Sequence, residues 1–169
     1  MVIVRGTKKM LTRVGGVTLN PEVRSTTELG DWYADLLFTR HARLVLLVSE
    51  RSLLSVLLPA RDLSHFADRF REAAAEVFAG LDASPSAAEA EVMQMKSVEF
   101  GPTASRTVLG CMNDLAFQAR TILEDQPELG LKAVALKLAR VPFSSIGNRF
   151  PGDLAVVLLS ASEQLGSVQ

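Results

Sequence analysis

The residues of this sequence best placed to do chemistry lie in RTVLGCMNDLAFQAR, positions 106–120. Arg106, Gly110, Asn113 and Phe117 recur at helical spacing, beside an apolar stripe of Val108, Leu109, Met112, Leu115, Ala116 and Ala119 that suffices for core packing. On the polar stripe Arg106 offers a fork for a carboxylate or phosphate, Gly110 leaves room for close approach, and Asn113 supplies donors and an acceptor. A ligand site satisfies this pattern, and so does a structural network tying the helix to a neighbouring loop. Asp114 lies nearly opposite the core face, where a solvated carboxylate is the simplest reading.

Other polar candidates lie far away in sequence. LGDWYAD sets Asp31 beside Trp32 and Tyr33, which suits a stacking surface as well as aromatic packing. SSIGNRF has the composition of an anion-binding turn, with Gly147 and Asn148 tolerating unusual backbone and Arg149 presenting a fork; its alternative is a plain connection held by an ion pair. With Lys8 near the start, the candidate ligand-binding residues are Lys8, Asp31, Trp32, Arg106, Asn113, Asp114, Asn148 and Arg149. Arg106, Asn113, Trp32 and the GNR turn are expected to border one polar depression, either a pocket or a buried network.

Several chemistries find no support. Cys111 is the single cysteine, which precludes an intramolecular disulfide and fits a reducing compartment. Neither His41 nor His65 stands in a setting that would activate Cys111, which borders the apolar stripe and reads as an inert buried thiol. The histidines show no metal-ligand spacing, and no phosphate-loop, dinucleotide or nucleophile-elbow motif occurs, so neither metal nor cofactor is expected. Net charge is −1, which gives no global attraction to nucleic acid or an anionic membrane. That charge is uneven, at +3 over residues 1–60, −4 over 61–100 and 0 over 101–169, and permits a local anion site. The most hydrophobic run, ARLVLLVSERSLLSVLLPA, is broken by Glu50 and Arg51 and does not read as a membrane span. With no secretory signal pattern at MVIVRGTKKM, the expected location is the cytoplasm.

The elements that must position these residues follow from periodicity. Between Trp32 and Pro59 the pattern is of strands, with Trp32, Ala34, Leu36 and Phe38 on one face and Tyr33 and Leu37 on the other, folded into a meander at RHA and SERS. VIVR and VTL offer further strands, TKKMLTRV a short helix, and SVEFG an edge strand. From Asp62, read as an N-cap, Leu63, Phe66, Phe70, Ala74, Val77 and Leu81 mark a surface helix. DASPSAAEAEVMQM gives a turn and a weaker helix, and Pro151 opens a last one. The fold class expected is α+β: an antiparallel sheet from the N-terminal third packed against helices from the C-terminal two thirds, in a single domain over 1–165 with a frayed tail at 166–169. Leu63, Phe66, Phe70, Leu109, Met112, Leu115 and Ala119 are expected in one core against the strands of 32–58.

STTELGDWYADLLF, SERSLLSVLLP, SRTVLGCMNDLAFQA and ARVPFSSIGNRFP, with TKKML near the start, resemble the ordered motifs of a bacterial family called domain of unknown function 6933, from about residue 3 to residue 155. The resemblance implies polar motif positions at Lys8, Lys9, Asp31, Trp32, Tyr33, Glu50, Arg51, Arg106, Asn113, Asp114, Asn148 and Arg149. Relatives often carry a small hydroxyl residue where this chain has Cys111, which argues against a nucleophilic cysteine. The resemblance carries no activity with it. Two functional classes remain: a non-enzymatic binding or interaction module for a protein or small anionic ligand, and a small enzyme on a phosphorylated or nucleic-acid substrate with Lys8, Arg106 and Arg149 stabilising charge and Asp31 or Asp114 as base.

Overall fold

The computed structural model describes residues 1–20 and 22–166. The strands are β1 (Val2–Gly6), β2 (Trp32–Phe38), β3 (Arg43–Ser49), β4 (Ser55–Pro59) and β5 (Val98–Pro102), in one sheet of order β4-β3-β2-β1-β5. β2, β3 and β4 form the expected antiparallel meander, with Trp32 opposite Ser49 and Val48 opposite Ser55. β1 lies between β2 and β5 and is parallel to both. The sheet is therefore mixed, which corrects the expectation of an antiparallel one. Tight turns force the meander strands to alternate, whereas α1 (Lys8–Val14) and the long segment after it return the chain to the starting end before β2 begins.

The helices that follow are α2 (Phe66–Gly80), α3 (Pro85–Gln94), α4 (Arg106–Asp125), α5 (Leu131–Leu138) and α6 (Pro151–Gly166). Local chemistry sets their starts. Thr7, Ser84 and Ser105 accept the backbone N–H three residues on, and Pro85 sits in the first turn of α3. Asp62 does not cap α2: its carboxylate accepts the N–H of Ser64 in a turn ahead of the helix. VTL is not a strand either. Its Thr18 and Leu19 N–H groups donate to the carbonyl of Phe100, covering the outer edge of β5.

The helices cover both faces of the sheet. Val2, Val4, Trp32, Ala34, Val45, Leu47, Val56 and Leu58 face Phe66, Phe70, Val77 and Phe78 of α2, with α3 and α6 behind them. On the other face Tyr33, Leu37, Leu44, Leu46, Val48 and Leu57 meet Val108, Met112, Leu115 and Ala119 of α4. The single core expected for Phe66, Phe70, Met112, Leu115 and Ala119 is thus two, separated by the sheet, with Leu63 and Leu109 half-buried, one at each core. Helical phase identifies which side of a helix is buried, not which side of a sheet receives it. α5 closes the β4 edge by serving both layers, Ala135 and Ala139 turned to the α2 core and Val134 and Leu138 to the α4 core. Of the tail expected at 166–169, Gly166 ends α6 and the remaining residues lie outside those described.

Candidate functional site

At the start of β2 a concavity of about 890 Å³ opens beside the sheet. Its floor is a bonded set of side chains. Arg5 of β1 donates through Nε to Asp31 Oδ2 at 2.6 Å, and Ser25 donates to the other carboxylate oxygen at 2.7 Å. Ser25 Oγ also accepts the Ile3 N–H at 2.9 Å, and Arg5 reaches the carbonyl of Pro102 at 3.1 Å. Asp31 is only 13% exposed and Arg5 19%, so each charge sits largely out of water with its counter-charge against it.

Two loops build the walls and are tied to each other. The Glu50 N–H donates to the Asp31 carbonyl and the Arg51 N–H to the Leu29 carbonyl, while Ser49 Oγ donates to that same carbonyl. Gly30 has φ +76, and a Cβ there would stand 2.9 Å from Arg51 Cγ, so glycine is needed both for the turn and for the arginine stem that crosses it. From below, Glu91 of α3, 2% exposed, accepts the N–H groups of Glu28 at 2.7 Å and Leu29 at 3.0 Å. Burial pushes the Glu91 carboxyl above the usual glutamate range, against the pull of those two N–H donors. Glu50, Arg24 and Arg51 are exposed around the opening, and Val17, Leu19 and Pro102 give it an apolar side.

Of the candidates read from sequence, Asp31 belongs to this concavity, together with Glu50 and Arg51 from the motif positions. Trp32 does not: its own side chain points to the opposite face, fully buried, its ring edge-on to Phe70 at 5.2 Å. Arg106, Asn113 and Asp114 are exposed on α4, on the other side of the sheet from the Trp32 ring. Asn148, at φ +59, and Arg149 are exposed in the turn closed by the Asn148 N–H to the Phe143 carbonyl, and this turn touches α4 where Ser145 meets Cys111 at 3.4 Å. Lys8 is exposed in the first turn of α1. The depression expected between Trp32, Asn113 and the GNR turn is therefore corrected: the sheet lies between Trp32 and α4, since odd and even positions of a strand face opposite ways. Cys111 is buried at the edge of the α4 core. Among the described residues no three His, Cys, Asp or Glu side chains gather to hold a metal ion.

Sequence reasoning missed Arg5, Ser25 and Arg24. Arg24 and Ser25 lie in the irregular segment before β2 and carry no periodicity, and for Arg5 the available signal was that a lone arginine in the apolar strand VIVR needs a buried partner.

Among the described residues no helix is long and apolar enough to cross a membrane. No curated protein matches the chain as a relative. The family model that does match spans residues 3–154, and with it nearly every element described above: the chain belongs to the family named Domain of unknown function (DUF6933).

Proposed function

We propose that the protein is a non-enzymatic binding module, and that the Asp31 concavity receives a small ligand bearing a carboxylate. The observation that carries this reading is the way Asp31 is held. Each of its oxygens accepts a hydrogen bond, one from Arg5 and one from Ser25, and the carboxylate is only 13% exposed with a guanidinium against it, which favours a fixed, ionised support over a proton-accepting base. Arg51 keeps most of its donors on the rim after giving one to the Glu28 carbonyl, and it suits a carboxylate in a bidentate pair. Val17, Leu19 and Pro102 would lie against an apolar body. Cross-linking between the two loops leaves the cavity largely pre-formed, which lowers the ordering cost of binding.

Thermal shift with short-chain aliphatic carboxylates, and with the matching alcohols, tests the reading. The carboxylates should raise the melting temperature of the wild-type protein and not of Arg51→Gln, while the alcohols leave both unchanged. Equal shifts in wild type and variant would exclude the concavity as the site.

A further inference from the structure

A second cavity, of about 670 Å³, lies at the opposite end of the meander, where β2 turns into β3 and β4 ends. Its charged lining is of one sign. Arg13 from the end of α1, Arg43 from the start of β3 and Arg61 from just beyond β4 surround it with His41, and no carboxylate is among its lining residues. Three separate stretches of chain thus bring arginines to the lining of one opening in a protein whose net charge is −1.

Among the described residues none of the three forms an ion pair with an acid. Arg13 donates to the carbonyl of Ala60 at 2.9 Å, and Arg43 lies over the Phe38 ring at 5.7 Å. Ion pairs among the described residues involve Arg5, Arg71 and Arg140, and not these. The nearest acid in sequence, Asp62, turns to Ser64: that N–H holds its carboxyl below the usual range, with His65 and Arg69 adding to the effect. Between the arginines the lining is apolar, with Leu44, Pro59 and Leu131. Leu131 opens α5, which brings the positive end of its dipole to the rim.

We infer that this cavity is a binding site for a phosphate monoester with an apolar or aromatic body. A carboxylate fills one guanidinium fork, whereas a dianionic phosphate has oxygens enough for three forks converging from different sides. The uncharged floor suits the body of the ester and would do nothing for inorganic phosphate. The inference is independent of the Asp31 concavity, which shares no lining residue with this one.

Isothermal titration of the full chain with phenyl phosphate, inorganic phosphate and benzyl alcohol is the test. Phenyl phosphate should bind at one site, about tenfold tighter than inorganic phosphate, with benzyl alcohol undetected. Arg43→Gln and Arg61→Gln should each weaken phenyl phosphate about tenfold, the loss of one charge-assisted contact, while Arg51→Gln leaves it unchanged. Both arginines are exposed, so circular dichroism and melting should show the variants folded. Unchanged affinity in the Arg43→Gln, Arg61→Gln double variant would overturn the inference. So would loss in Arg51→Gln alone, which would move the anion to the other concavity, or no binding of phenyl phosphate at all.

Discussion

Both ends of the β2–β3 pair carry arginines and hold them differently. At the Asp31 end Arg5 sits against a carboxylate in a nearly buried network whose every member has a second attachment, to Pro102, to Ile3 or through the backbone to Glu50. At the far end Arg13, Arg43 and Arg61 meet a carbonyl, a ring face and water. Charge that is paired and dried contributes to specifying the fold, because removing one partner leaves the other stranded. Like charges gathered on an open rim contribute little to folding, and a lining of one sign is complementary to an anion.

The sharpest way to break this contrast is Asp31→Ala. It strands Arg5 and frees Ser25, and should lower unfolding free energy by about 2 to 4 kcal/mol in denaturant titration; a loss below about 0.5 kcal/mol would make the network ornamental. Gly30→Ala should follow at about 1 to 3 kcal/mol, from strain at positive φ and the displaced Arg51 stem. A silent substitution there would mean that the two loops adjust freely.

Glu91→Gln sharpens the picture through pH. The folded carboxyl titrates above its unfolded value, so its contribution is most favourable below the ordinary glutamate range and is lost as pH rises through the raised folded value. The amide does not ionise; it keeps one acceptor for the loop and loses the other, a cost that does not vary with pH. Wild-type stability, measured against the variant by chemical denaturation from acid to neutral pH, should therefore fall across that window and then level off; a gap that widens in the wild type's favour would reverse the assignment. The smallest effect belongs to the other end. Arg43→Gln with Arg61→Gln should change stability by no more than about 0.5 kcal/mol, with any gain largest at low salt, where repulsion is least screened. A large loss would show that these arginines are structural after all.

The sequence makes some of this architecture legible and hides the rest for definite reasons. The phases of α2 and α4 were readable because each helix buries one side, whereas the alternation from Trp32 to Phe38 marked a strand without showing that both its faces are covered. LKAVALKL in α5 was not readable, since at eight residues its helical pattern of Val134, Ala135 and Leu138 spans barely two turns and is too short to stand out from a loop. Parallel pairing of β1 and β5 is decided by where long connections return the chain, which VIVR and SVEFG do not encode locally. For the site, Asp31 was visible beside the aromatics Trp32 and Tyr33, and Glu50 and Arg51 through the family resemblance. The regular stripe Arg106, Gly110, Asn113, Phe117 misled, because a solvated helix side repeats with the same period as a ligand-facing one. Arg13, Arg43 and Arg61 gave no motif, being single residues at the ends of three separate elements; only the +3 balance over residues 1–60 pointed toward an anion site.

Trp32, the only tryptophan, stands one residue from Asp31 with its indole sealed under Phe70 on the far side of the sheet. Its emission should accordingly be that of a dry indole, and a collisional quencher in solution should scarcely reach it until the chain unfolds. The same residue that fails as a ligand contact thereby becomes an optical gauge. A change in its fluorescence on adding solute reports movement of the β2 backbone or of the α2 layer, whereas occupancy of either cavity without such movement leaves the light unaltered.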